Sequence, residues 1–461
     1  MSLRKIIIIT LLGVPAGALL LFGPRRTADV PCDRTIVRYW ESWAGVEGRA
    51  VQELIDEFNR TVGAQRGVFV QYVSLGSMIH ERLLAACAGG DPPDVAGLFA
   101  FALPQYAELG ALEPLDADLP ALGIRPTEFV PALWQIGVYH GRTYGLPSTP
   151  FTIAMYYNRR LFRAAGLDPD RPPTTFDELR AFSERLTRTA PDGSLQTVGF
   201  LPSPKVLNWW HWCWPFFFGD PLDEQGRYRI DSAAGVRALE WVASYRDRFG
   251  AERTQVFEQG LGIVVEGAQN PFMAERVAII HQGPWMANFI RRYTPDLDYA
   301  VAAFPSARPD GSRPVLVCSD LLVLPRGARH PREARLFLGW LMQQPVLERL
   351  CKAHGKISPF RTPGPDFFRD HPNPFIQIHH ELAASPAAFG YPKMPTWPQI
   401  EHDVLTAVNN VWFGLGTPRD EARAAQQRID AAVAAYERLA RMRCLAPVGA
   451  ADAKASTRAG S

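Results

Sequence analysis

Past the first thirty residues, apolar positions alternate between short extended runs and stretches spaced as on one face of a helix. Residues 34–39 form a first extended run. Val51, Leu54, Ile55 and Phe58 then recur at helical spacing and predict a helix over 49–61. Residues 68–73 predict a second strand, 78–88 a second helix and 93–98 a third strand. This repeated strand–helix–strand order predicts a parallel sheet flanked by helices. Further helices are legible at 174–188, with Thr174 or Thr175 as the cap, and at 232–248 and 331–342. A last long one over 418–442 is rich in Ala, Arg and Gln. Pro-rich joints recur at 202–204, 305–314 and 359–374, and residues 447–461 read as a disordered tail of small and polar residues. The chain has 461 residues, too many for one ordinary core, so two or three folded units are expected.

The N-terminus has a different pattern. Arg4 and Lys5 precede an apolar run over residues 6–22, which at helical rise spans roughly 25 Å, slightly short of a hydrocarbon core. Residues 1–33 therefore read as a signal peptide or a single N-terminal membrane anchor. The location expected is the periplasm or the outer face of the cytoplasmic membrane. Cys32 stands ten residues beyond the run and behind Pro31, a poor context for a lipid attachment site. No second apolar run approaches spanning length.

Composition narrows the function by exclusion. Hydrophobic residues at 47% and charged residues at 21% describe a soluble globular chain, and a net charge of +2 is no footprint for nucleic acid. The basic residues are mostly Arg, with only six lysines. Six cysteines lack metal-ligand spacing and sit in apolar surroundings as small buried residues, with room for one disulfide. No nucleophile elbow, zinc-protease helix, phosphate loop or dinucleotide fingerprint is present. His379-His380-Glu381 lacks the later histidine of a helical zinc site and reads as a solvated loop cluster. Nothing marks an enzyme, a metal site or a cofactor.

The aromatic residues carry more information. Residues 209–218 place seven aromatic rings and a histidine in ten positions, and no helix or strand period buries consecutive side chains on one face. Some of these rings are expected at a surface or lining a cleft, where flat rings stack on the apolar faces of sugars or meet a protein partner. Trp43, Trp285 and Trp397 are single candidates next to Gly or Pro.

A series of short motifs then forms a recognisable order. They are Gly-Gly-Asp-Pro-Pro-Asp-Val at 89–95, Leu-Gly-Ala-Leu-Glu-Pro-Leu-Asp at 109–116, Gly-Arg-Thr-Tyr-Gly-Leu-Pro at 141–147 and Tyr-Tyr-Asn-Arg-Arg-Leu-Phe at 156–162. Ala-Gly-Leu at 165–167, Pro-Pro-Thr-Thr-Phe-Asp-Glu-Leu at 172–179, Phe-Met-Ala at 272–274, Gly-Pro-Trp at 283–285 and Glu-Ala-Arg-Leu-Phe-Leu at 333–338 follow. In this order, from about residue 34 to 436, the chain resembles the extracellular solute-binding proteins of sugar ABC importers, the family that includes maltose-binding protein. The resemblance implies an α/β fold of the type II periplasmic-binding-protein kind, two α/β lobes with a ligand cleft and hinge between them. Lobe 1 would hold 34–149 and 315–366, and lobe 2 would hold 150–314 and 370–445.

The same resemblance implies a set of ligand contacts. Trp285 matches a tryptophan that stacks on a sugar ring, and Trp210, His211 and Trp212 match an aromatic stretch lining the cleft. Glu41, Ser42 and Trp43 follow the first strand, where polar sugar contacts are placed, and Phe99 follows the third. Ser148, Thr149 and Phe151 lie where the chain crosses between lobes, with Tyr157-Asn158 as packing support. Asp320 could accept hydroxyl hydrogen bonds, and Trp397 would close the site from lobe 2. The function implied is capture of a mono- or oligosaccharide by a monomeric binding component and its delivery to an ABC permease, without cofactor or nucleic acid. Alternatives are a polyol phosphate, a polyamine or a peptide on the same fold, a sensor role, or a secreted carbohydrate-active enzyme. The apolar stretch 98–103 offers no acids for a polyamine.

Overall fold

A computed structural model describes residues 31–207, 210–261 and 267–445 of the chain. The apolar run at 6–22, Trp209 and the tail at 447–461 lie outside the described residues. No helix among the described residues is long and apolar enough to cross a membrane.

The first half folds as its periodicity predicts. β1 (Thr35–Glu41), α1 (Gly45–Arg60), β2 (Val68–Ser74), α2 (Ile79–Ala88) and β3 (Val95–Phe99) alternate, and β1 lies between β2 and β3, parallel to both. The apolar stripe of α1, Val51, Leu54, Ile55 and Phe58, is buried against this sheet. Alternation along β1 turns Val37, Tyr39 and Glu41 to the buried side, so the last inward position is a carboxylate.

The chain then crosses to a second sheet through one nearly continuous extended segment. β4 (Gly145–Thr152) belongs to the first sheet, and after Ile153 the chain becomes β5 (Ala154–Asn158), the centre of the second. Every residue of β4 and β5 is buried. Asn158 accepts the Leu161 amide and caps α3 (Arg159–Ala164), so Tyr157-Asn158 supports packing as expected. Thr175 caps α4 (Phe176–Leu186), while Glu178 returns a carboxylate to the Thr174 amide at 2.8 Å. α5 (Ala233–Phe249) precedes β6 (Ile279–Gln282), α6 (Met286–Tyr293) and β7 (Tyr299–Ala302). β6 and β7 flank β5 antiparallel.

β8 (Val315–Val323) brings the chain back, inserted between β3 and β4 and antiparallel to both, so the large sheet is mixed and not parallel as expected. All nine residues of β8 are buried, so both of its faces are covered. α7 (Pro331–Leu341) and α8 (Gln344–Ala353) follow, then α9 (Ile376–Ala383) and the short β9 (Ala388–Phe389), which pairs with β8. α10 (Trp397–Trp412) and α11 (Pro418–Leu445) end the described chain.

Two expectations are corrected here. His379-His380-Glu381 is not a solvated loop: it lies in α9, with His379 fully buried. The His379 ring stands 2.8 Å from the Thr152 hydroxyl at Nδ1 and 2.9 Å from the Tyr156 hydroxyl at Nε2, one group from each sheet. The aromatic run also behaves otherwise than expected. Residues 211–217 form a 3-10 helix in which every side chain is buried. Rings pointing in successive directions all find neighbours: Trp214 meets Trp241 and Phe304, Phe216 meets Phe389, and Trp212 meets Tyr391 and Trp397.

His379→Ala removes two buried hydrogen-bonded nitrogens and leaves a cavity at the crossing. The expected loss is about 2–4 kcal/mol, read as a lower denaturant midpoint against wild type.

Candidate functional site

The side chains that the two sheets hold in common gather where β1, β4, β6 and β8 approach one another. Glu41 is buried at the end of β1, its carboxylate accepting from the Tyr39 hydroxyl at 2.9 Å and the Ser42 amide at 2.8 Å. It packs over Gly97 of β3, where any Cβ would strike its oxygens, so the glycine there creates the room. Burial pushes the Glu41 carboxyl up to about 7, against its hydrogen bonds, with the nearby Asp320 also raising it.

Asp320 lies midway along β8, opposite Phe99 of β3 and Thr149 of β4, where the β8–β4 register shifts. The Thr149 hydroxyl donates to Asp320 Oδ2 at 2.7 Å, and the Ser148 hydroxyl donates to the Asp320 carbonyl at 3.0 Å. Both hydroxyls are thus spent on the sheet, and Thr149 fixes the direction of the carboxylate. Burial raises the Asp320 carboxyl above its ordinary range, and Lys356 opposes that shift.

Trp43 follows β1, Phe151 is the penultimate residue of β4, and Trp285 follows β6. Phe151 and Trp285 meet edge to face at 5.1 Å, and Trp210 adds a third ring 5.7 Å from Trp285. Trp285 lies against Gly283, whose missing side chain makes way for the indole. Trp210 has φ +64, a left-handed backbone that costs a non-glycine residue about 1 kcal/mol or more.

Sequence reasoning missed the group at the centre. After α8 the chain turns at Gly355, φ +65, and projects Lys356 into these rings. Its ammonium stands 4.4 Å from the Trp285 centroid, 4.6 Å from Phe151 and 5.6 Å from Trp43. His354 packs on Trp43 at 4.9 Å, and burial lowers its ring to about 3, so it is neutral. Burial lowers the Lys356 ammonium from its ordinary value, with Asp320 the foremost charge holding it up. The one available signal was rarity, a lysine in an Arg-dominated chain.

The remaining candidates are placed differently. His211 is buried with neither ring nitrogen hydrogen-bonded among the described residues, and burial lowers it to about 4. Phe99 packs with His80 and Phe101, and Phe101 reaches Tyr391, which touches Trp212. This is a second aromatic chain, running from the end of β3 to the 3-10 helix. Trp397 lies wholly buried behind it, against Trp212, Tyr228 and Tyr391, because it begins α10 pointing into the core. Ser42 is half-buried beside Glu41. Cys32, Cys87, Cys213, Cys318 and Cys351 are free thiols, and no group of metal-ligating side chains occurs among the described residues.

Rings, a buried carboxylate and a buried ammonium thus gather beside the crossing from one sheet to the other, which makes this group the candidate ligand site. The chain belongs to the bacterial extracellular solute-binding protein family, whose sequence model matches residues 43–345. The mannotriose-bound protein CpMnBP1 is similar in structure, with TM-score 0.73 and 26% identity over 86% of this chain and all of that one. The sugar-binding protein MalE of Xanthomonas citri superposes with TM-score 0.72 at 21% identity, covering 88% and 99% of the two chains. A Brucella abortus (strain 2308) protein named only for binding is 24% identical over 355 residues, 76% of this chain and 82% of that one. The sn-glycerol-3-phosphate-binding periplasmic protein UgpB of Pectobacterium atrosepticum is 28% identical over 181 residues, 37% and 38% of the two chains.

Glu41 gives the fold a pH signature. Its carboxyl is raised in the folded state, so between about 4.5 and about 7 the folded protein holds a proton that the unfolded chain has released. Its contribution therefore destabilises progressively as pH rises through that window and is constant above it. Glu41→Gln should stabilise the protein by about 1–3 kcal/mol at pH 8 and change little at pH 4.5, checked by denaturant titration at both values.

Proposed function

We propose that this protein is the extracytoplasmic substrate-binding component of an ABC importer that captures a carbohydrate, mono- or oligosaccharide, between two lobes and presents it to a membrane permease. The observation that carries the reading is the group of Trp43, Phe151, Trp210 and Trp285 set beside Asp320 and Lys356 between the two sheets. Sugar C–H faces favour such rings, and buried hydroxyls need paired donors and acceptors. Membership of the solute-binding family and likeness to a mannotriose-bound protein support it.

In this reading lobe 1 comprises residues 34–149 and 315–366, and lobe 2 comprises 150–314 and 370–445. The crossings at β4–β5 and before β8 act as the hinge. The protein works as a monomer outside the cytoplasm, exported by residues 1–33, which are removed or kept as an anchor. Glu41, Trp43, Phe151, Trp210, Trp285 and Asp320 contact the solute; Ser148 and Thr149 brace Asp320. Ser42, Phe99, His211 and Trp212 flank the cleft, and Trp397 supports Trp212. Closing the lobes shifts the population to the form the permease recognises. A micromolar affinity needs about −8 kcal/mol, within reach of two or three stacked rings and several hydrogen bonds.

A thermal-shift screen of residues 34–446 against mono-, di- and oligosaccharides should give a clear rise with one sugar class. Trp285→Ala should then weaken that sugar's binding on the order of 10–100-fold by calorimetry, with the melting temperature of the free protein little changed. An unchanged dissociation constant would remove Trp285 from the site.

A further inference from the structure

Lys356 sits in the site with an unusual set of neighbours. It is 4% exposed, and its ammonium faces Trp285, Phe151 and Trp43. Among the described residues no hydrogen-bond acceptor partners this ammonium, so its N–H donors are compensated only by the ring faces and by the field of nearby charges. Those charges and polar groups are Asp320, Glu47, Cys318 and Cys351, with neutral His354 packed on Trp43. Asp320 has one oxygen committed to Thr149 and forms no ion pair with Lys356 within 4 Å. Gly283 makes room for the Trp285 indole, and Lys356 lies over a face of that ring.

We propose that Lys356 is a specificity-determining residue of this site: an internal cation that holds the aromatic platform until the solute arrives, then donates to a solute hydroxyl that in turn donates to Asp320. A hydroxyl is the group that can accept from an ammonium and donate to a carboxylate at once. The inference rests on the carbohydrate reading and sharpens it to neutral, hydroxyl-rich solutes. Lys356 already lies in the fields of Asp320 and Glu47, so a phosphate or carboxylate on the solute would find no uncompensated cation there. A solute that stacks on the ring face Lys356 occupies displaces the ammonium from it.

The test uses the mature protein and calorimetry with the sugar class that shifts its melting, beside glycerol 3-phosphate and a sugar acid. The expected result is binding of the neutral sugar, at least tenfold weaker binding of both anions, a loss of about 10–100-fold in Lys356→Met, and partial recovery in Lys356→Arg, which keeps the charge and donors. The anion comparison needs no variant, so it stands even if Lys356→Met folds poorly. Glycerol 3-phosphate binding as tightly as the neutral sugar, or an unchanged affinity in a folded Lys356→Met, would overturn the proposal. If no neutral sugar binds wild type at all, the carbohydrate reading itself fails, and that outcome is distinct from failure of the Lys356 role.

Discussion

The structure depends on one strand being wholly enclosed. β8 runs between β3 and β4 with every residue buried, and Asp320 sits at its middle. A carboxylate in that position costs several kcal/mol unless its oxygens are partnered, and the fold supplies a partner from the adjacent strand in the Thr149 hydroxyl. The same pairing brings β4 alongside, and β4 continues through Ile153 into the second sheet. One buried acid, its hydroxyl partner and the crossing between sheets are therefore a single mechanical unit.

Around that unit the electrostatics are poised by burial. Glu41 is raised to about 7, Asp320 is raised, and Lys356 is lowered, each chiefly because water is removed from the charged form. None of the three is locked in a close ion pair, and the lysine is held by ring faces instead. Under the proposed function, such groups would recover interaction energy when a polar solute replaces the lost water, which would favour closure over a filled site. The glycines at 97, 283 and 355 serve the same end, since each admits a side chain or a turn that a Cβ would block.

The second aromatic chain, from Phe99 and Phe101 through Tyr391 to Trp212 and Trp397, ties the strand ends of the large sheet to α10. It explains why the aromatic run at 209–218 is so dense. A 3-10 helix turns about 120° per residue, so with cover on all sides every direction finds a neighbour. Consecutive rings in sequence signalled unusual packing, and the packing proved to be interior for residues 211–217.

The sequence by itself determined the α/β order, the parallel run of the first three strands, a cap at Thr174 or Thr175 and the family, because these rest on periodicity, capping chemistry and ordered short motifs. It also pointed to Glu41, Trp43, Phe151, Trp285 and Asp320, all at strand ends or beside the crossing. Only the tertiary structure decided that β8 enters antiparallel, since strand direction is set by the long-range path of the chain and not by the local sequence. Only it turned Ser148 and Thr149 into braces, buried Trp397 behind Trp212, joined His379 to both sheets and placed Lys356 among the rings. Those outcomes depend on contacts between positions as much as three hundred residues apart, and such contacts leave no local period or spacing in the chain.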